Sequence, residues 1–379
     1  MSELRTRTVA TAAMIALFDD VATIAGAIRF EVALARAQAD EGVIPAACAD
    51  EIAAVAATVR FDSAELAEEA AFAGTLAIPL VAAIRAGLGA DAARALHRGA
   101  TSQDVAETVL MGQIRGAARL LAGDVVRLVA ALEASARAHA ATPAIGRTLL
   151  QDARPIGFGL RIAQWHAGIA GAAARLEREV ASGAALQWGG AAGTRPDQDG
   201  RAAAVAARLA RAFGLADAPP WHARREGVAG IAAAVGILIG AVAKMARDVA
   251  LLSQTAVGEA HEPAAAGRGG SSTMPHKRNP TGCQVALSAA VRAPGLVAAI
   301  LSALPAEEER GIGGWQAEGP MLIDLFLIAS GAVDAMVTVA EGLEIDPAAI
   351  ARNLAAAGQG DDIGESAALV DALIRMGRD

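Results

Sequence analysis

Long apolar runs at helical spacing dominate the chain, and short polar islands interrupt them. Phe18-Asp19-Asp20 precedes apolar positions at Ile24, Ile28, Phe30, Val32 and Leu34, a pattern that predicts a helix ending at the Gly-Val-Ile-Pro stop of residues 42–45. Residues up to about Leu96 read as several such helices. Val109 to Ala141 predicts one long apolar helix, and Gly227 to Ala243 is uncharged and apolar throughout. No sustained period-two alternation is present, so strands should be few and the fold class is all-α.

Three polar islands break this pattern. They are His97–Thr108 (HRGATSQDVAET), Gly146–Gly159 (GRTLLQDARPIGFG) and Gly267–Pro280 (GRGGSSTMPHKRNP). In the first, Gly99 breaks the preceding helix, and Thr101, Ser102 or Asp104 can cap the next; a helix N-terminus with hydroxyls is a ready anion site. In the third, glycines let the backbone approach a ligand closely, and two hydroxyls and a dense His276-Lys277-Arg278-Asn279 cluster follow. It reads as a cationic loop joining two apolar helices, a kind of segment that carries function more often than stability.

Composition sharpens the picture. The 379 residues are 54% hydrophobic, with 7 Phe, 4 Trp and no Tyr, which suits closely packed Ala-rich helices. A net charge of −8 argues against non-specific nucleic-acid binding. The two cysteines, Cys48 and Cys283, lie far apart without metal-ligand spacing, as expected in a reducing cytoplasm. No sizeable apolar region precedes Asp19 and Asp20, so no signal peptide is expected. Gly227–Ala243 is at the short limit for a membrane span, and a helix buried on all sides within a bundle is the better reading. So many apolar helices also imply subunit burial. Leu186–Thr194 is Gly-rich but lacks the G-K-[ST] of a phosphate loop.

GSSTMPHKRNP resembles the G-S-S-x-M-P-x-K-x-N loop of the fumarase/aspartase superfamily at every fixed position, and the likeness extends over about residues 15–345. HRGATSQD is similar to the superfamily's H-x-G-x-T-S-x-D segment, and GRTLLQDARPIGFG to its R-T-H-x-Q-x-A-x-P-x-x-x-G segment. Glu307–Glu318 (EEERGIGGWQAE) resembles the E-R-x-x-G-x-W-x-x-E of the cycloisomerase branch. The resemblance implies that Ser271 is the base, that Lys277 and Asn279 stabilise the developing anion, and that Thr101, Ser102 and Gln103 bind a substrate carboxylate. It makes Thr148, Gln151, His276, Arg278, Arg310 and Trp315 further substrate-binding candidates, Trp315 being either pocket wall or core. His97 is a general acid or a satisfied structural histidine, and His222 and Arg225 contact substrate or brace helices. Asp152 has no assigned role.

Two departures coincide. The superfamily's segment histidine is Leu149 here, and the glutamate that pairs with it, five residues after the loop asparagine, is Gln284. The expectation is a site shaped around a neutral leucine and amide. Without that relay the leaving group should need little protonation, as an intramolecular carboxylate does. The resemblance therefore implies interconversion of 3-carboxy-cis,cis-muconate and 4-carboxymuconolactone, a step of protocatechuate breakdown, without metal or organic cofactor. It also implies a cytoplasmic homotetramer with shared active sites. An adenylosuccinate-type lyase and a catalytically silent homologue are the alternatives. The expected division is a helical domain at 1–96, a central bundle at 97–345 and a shortened C-terminal segment at 346–379.

Overall fold

The computed structural model describes residues 3–265, 267, 269, 270, 274 and 277–377. Seven helices come first: α1 (Glu3–Thr6), α2 (Ala12–Leu17), α3 (Asp20–Asp40), α4 (Ala46–Thr58), α5 (Ser63–Ala73), α6 (Ala77–Ala86) and α7 (Ala90–Ala95). Local chemistry sets their starts. Thr11 Oγ1 accepts from Met14 N, Asp19 from Ala22 N, and Asp62 from Ala64 N and Glu65 N, each satisfying donors that a helix N-terminus leaves open. The stop after α3 falls at Gly42, whose φ of 71° suits glycine.

α8 (Ser102–Ala138) runs for 37 residues, which makes it about 55 Å long. It starts at the polar cap of the first island, ahead of the apolar run that marks it in the sequence. A hairpin follows, β1 (Pro143–Thr148) with β2 (Gln151–Gly157), paired antiparallel with Thr148 opposite Gln151. Its two-residue turn, Leu149-Leu150, has φ of 53° and 65°, the positive values that let a tight turn match strand twist. Then come α9 (Phe158–Gly183), α10 (Ala202–Phe213) and α11 (Glu226–Leu252). After a two-residue strand β3 (Ala260–His261) lie α12 (Thr281–Ser302) and α13 (Gly314–Glu341). β4 (Glu344–Ile345), which pairs with β3, α14 (Pro347–Ala357) and α15 (Ser366–Met376) end the chain.

The long helices close a ring. α8 packs on α9, α9 on α11, α11 on α12, α12 on α13, and α13 returns to α8. Met111, Ile114, Leu128, Ile162, Leu238, Val242, Phe326 and Met336 are buried between them. The architecture is the expected all-α one. One expectation needs correction: α11 is not buried on all sides. Ile237 is 47% exposed, and on the adjacent α12 Val291 is 81% exposed. Together these helices present an outward groove floored by Gly236, Gly240, Ala290 and Ala293. By length and composition alone, α11, α12 and α13 could each cross a membrane.

The N-terminal segment is seated by a glycine of α13. A Cβ on Gly331 would fall 2.1 Å from Val9 O and 2.4 Å from its carbonyl carbon, so backbone would have to move. Ser330 Oγ accepts from Thr11 N at 3.1 Å beside it. Gly331→Ala is therefore expected to cost about 1–3 kcal/mol, despite alanine's better helix propensity, as read by urea denaturation. An unchanged or raised midpoint would show that the segment is not seated there.

Candidate active site

The polar islands fall at two ends of the bundle. At the N-terminus of α8 the organising side chain is Asp104, which is fully buried. Its Oδ2 accepts from Thr101 N at 3.0 Å and Gly190 N at 2.8 Å. Its Oδ1 accepts from Gly189 N at 3.1 Å and meets His222 Nε2 at 2.8 Å. Asp104 thus ties the helix cap to the Gly-rich turn and to the segment before α11. Gly190, at φ 71°, passes so close that a Cβ would sit 3.0 Å from Gly99 O, which accounts for one glycine of that turn.

On this frame stand several of the expected substrate-binding residues. Arg310 donates to Thr101 Oγ1, joining two segments far apart in the chain. Ser102 and Trp315 line one cavity of about 260 Å³ with Glu107, Arg225 and Glu318. Gln103 differs from its expected role: it is fully buried and donates Nε2 to His222 O at 3.3 Å, so it braces the site from behind. His222 is buried on Asp104, and Arg225 is buried between Glu107 and Glu318, so both brace helices. His97 Nδ1 lies 2.7 Å from Glu31 Oε1. Burial pulls its imidazole pKa down, but the hydrogen bond and charge of Glu31 outweigh that, and the net shift is upward.

At the other end of α8 lies the hairpin. Glu259, fully buried, receives Arg147 through Nη1 at 3.0 Å and Nη2 at 2.6 Å, and Asn353 Nδ2 at 2.8 Å. Asp152, unassigned from sequence, meets Arg147 Nε at 3.3 Å. Thr148 and Gln151 flank the tip and are exposed. Leu149 is 95% exposed and Leu150 75%, and Gln284 is exposed on the first turn of α12. The expected enclosure of Leu149 and Gln284 is therefore absent within one protomer, because the turn points its side chains away from the bundle.

The cationic loop follows β3, a few residues beyond Glu259. Glu262 accepts from Gly282 N at 3.0 Å and Cys283 N at 2.7 Å, capping α12 with a carboxylate where the helix dipole favours one. Arg278 donates to Glu344 at 2.8 Å and to Glu262 O at 2.6 Å, so its guanidinium anchors the loop and is not free as a substrate clamp. That pairing holds the Glu344 carboxyl below its ordinary range. Asn279 N donates to Gly269 O at 2.8 Å, an approach that a Cβ on Gly269 would block at 2.5 Å. Lys277 is exposed and lines a cavity of about 200 Å³ with Asn279, His261 and Glu262. Ser271 and His276 lie outside the described residues.

One protomer thus brings Thr101, Ser102, Arg310 and Trp315 together at one end, while at the other Lys277 and Asn279 line one cavity and Thr148 and Gln151 flank the hairpin tip. Lengths of about 55 Å for α8 and about 33 Å for the 22 residues of α12 separate them. Among the described residues no group of three or more His, Cys, Asp or Glu side chains is arranged to hold a metal ion. Sequence reading missed Glu107, Glu259 and Glu262. Only position hinted at them: Glu107 lies one turn beyond Gln103, and the other two sit just before the loop.

The sequence profile of the family described as "Lyase" matches residues 6–295. A 3-carboxy-cis,cis-muconate cycloisomerase from Bradyrhizobium diazoefficiens is 46% identical over 93% of this chain and 79% of its own length. One of the same name from Pseudomonas aeruginosa is 44% identical over 90% of this chain and 76% of its own. The crystal structure of 3-carboxy-cis,cis-muconate lactonizing enzyme from Pseudomonas putida superposes with a TM-score of 0.91 at 33% identity, covering 100% of this chain and 99% of that one.

The Asp104 hub has a direct consequence. Asp104→Ala leaves His222 and three backbone donors buried without an acceptor, and is expected to cost about 3–5 kcal/mol. Asp104→Asn, which keeps one acceptor oxygen, should cost less. Chemical denaturation measures both, and an Asp104→Ala midpoint equal to wild type would remove the hub role.

Proposed function

The chain belongs to the fumarase/aspartase superfamily of lyases, and on that premise we propose that it is a cycloisomerase interconverting 3-carboxy-cis,cis-muconate and 4-carboxymuconolactone. The observation that carries the reading is the meeting of Arg310 with Thr101, beside Ser102 and Trp315. It supports reading the cycloisomerase-type segment and the α8 cap as one carboxylate-binding site, since a guanidinium and hydroxyls suit a trianion.

The chemistry follows from the groups. In the lactone-opening direction, a base removes a proton next to a carboxylate, and the substrate's own carboxylate leaves from the β-carbon. The aci-carboxylate that develops carries two charges and has to be stabilised where it forms. Lys277 and Asn279 do this in our reading, each such preorganised donor contributing roughly 3–4 kcal/mol. Ser271 is the base, activated by the positive charge of Lys277 and by exclusion of water. In the reverse direction Ser271 returns the proton while the carboxylate adds across the double bond. A carboxylate leaves without prior protonation, so Leu149 and Gln284 replace the histidine–glutamate pair without loss.

The separation along α8 makes the active site a shared one in this reading. Thr101 and Arg310 of one copy face Lys277 of another, and the exposed Leu149-Leu150 tip reaches a neighbour. The groove between α11 and α12, with Ile237, Val297 and Leu301 on its walls, is the contact that builds a homotetramer. Subunit burial also accounts for the apolar helices without a membrane.

The direct test is ultraviolet absorbance: adding carboxymuconate should bring loss of the conjugated-diene band, and a protein inert toward it would overturn the assignment. Lys277→Met should lower kcat more than Arg310→Met, because Lys277 acts on charge present only in the transition state; equal effects confined to KM would contradict that role. Ser271→Ala should nearly abolish turnover with substrate affinity changed only modestly. Leu149→His with Gln284→Glu should bring no gain, and a faster double variant would refute the account of the lost relay. Mixing the impaired Lys277→Met and Arg310→Met proteins after partial unfolding should raise activity above that of either alone, since some sites then receive both native residues. Light scattering that finds a fully active monomer would refute the shared site.

A further inference from the structure

Three charges are buried behind Ser102 and Trp315. Glu107 lies on α8, five residues and about 7.5 Å of helix rise beyond Ser102. Arg225 precedes α11, and Glu318 sits in the second turn of α13, three residues beyond Trp315. A single guanidinium nitrogen, Arg225 Nη2, meets Glu107 Oε1 at 2.5 Å and also Glu318 Oε2. Arg225 Nε reaches Glu318 Oε2 at 3.1 Å. All three side chains are buried, and all three line the cavity of about 260 Å³ that Ser102 and Trp315 share. Two carboxylates on one guanidinium leave a net negative charge in an apolar wall, and one proton cancels it.

We propose that Glu107 is an affinity-setting acid of the substrate pocket: protonated, it leaves the cluster neutral and admits a polycarboxylate, and ionised, it repels the carboxylate held at Thr101, Ser102 and Arg310. The proposal rests on the functional reading above. Glu318 is doubly engaged by Arg225, whereas Glu107 meets it through one nitrogen, so the proton belongs on Glu107. Burial pushes the Glu107 carboxyl up to about 7, against the pull of the Arg225 charge. Few other groups face it. α8 presents Gln103, α13 presents Glu318, and the segment before α11 presents Arg225 and the backbone of His222, whose ring is held by Asp104. α3 and the start of α6 line the cavity with Thr23, Ala27, Thr75, Leu76 and Ala77, none of them charged.

The sign follows. Below pH about 7 the cluster is neutral and binding is tightest; above it the added charge weakens binding of an anion. One charge about 8 Å away at an intermediate dielectric corresponds to roughly tenfold or more in affinity. The KM of the wild type for carboxymuconate should therefore rise about five- to tenfold between pH 6 and pH 8, an interval in which substrate carboxylates do not titrate. Glu107→Gln should hold KM near its low-pH value throughout. His97, whose imidazole is held protonated more firmly by Glu31, is the other titratable group of this cap, so His97→Asn serves as the discriminating variant and should keep the rise. A second readout needs no variant. Tricarballylate (propane-1,2,3-tricarboxylate), bound by the wild type at pH 7.5 in buffers of different ionisation enthalpy, should draw up protons in calorimetry. A flat wild-type KM, a Glu107→Gln protein that keeps the rise, or tricarballylate binding absent or without proton uptake would each overturn the inference. A wild type inert toward carboxymuconate but taking up protons with tricarballylate would instead sink the functional reading and leave the pocket acid standing.

Discussion

A helix of 37 residues cannot fold back on itself, and the molecule is arranged around that constraint. α8 fixes one polar cluster at its N-terminus and delivers the hairpin at its C-terminus. α9, α11, α12 and α13 then pack along it as a ring, each contributing an apolar face to a common core. Because interiors of this kind are close-packed, the distance between the clusters is as rigid as the core itself. Chemistry that needs both clusters has to find the second in another copy of the chain.

Three buried carboxylates enter that core in compensated sets. Asp104 is matched by backbone donors and His222; Glu262 by the first amides of α12; Glu259 by Arg147 and Asn353. Each set joins segments distant in sequence, and each lies just behind residues that we assign to the substrate. Burial makes such sets costly to break and therefore precise in geometry. The cluster of Arg225 with Glu107 and Glu318 departs from the rule by carrying one acid more than its cation can match.

The sequence made the long helices visible because their apolar runs greatly exceed a strand's length, and α3 and α8 start at ordinary Asp and Thr caps. The hairpin was hidden. Its strands do not alternate cleanly, and its turn uses Leu149-Leu150 where Asn-Gly would have announced it. The island at Thr101 was readable as a helix cap, but its pairing with Arg310 depends on a return of the chain that no local pattern encodes. Arg278 looked like a clamp in a row of cations; only the fold shows Glu344 beside it. No local pattern marks Glu107 or Glu259 as buried, since the arginines that pair with them arrive from other segments.

The Glu259 set also bears on how such a chain can change over time. One carboxylate holds Arg147 of the hairpin, Asn353 of α14 and, at 3.7 Å, Arg161 of α9. Replacing the acid alone leaves Arg161 without its carboxylate and Arg147 with Asp152 alone, and replacing Arg147 alone leaves the acid short of its closest partner. No single substitution at these positions is neutral, whereas a coordinated exchange of several is conceivable. The four side chains thus form one unit of variation, and the hairpin's position is inherited with it.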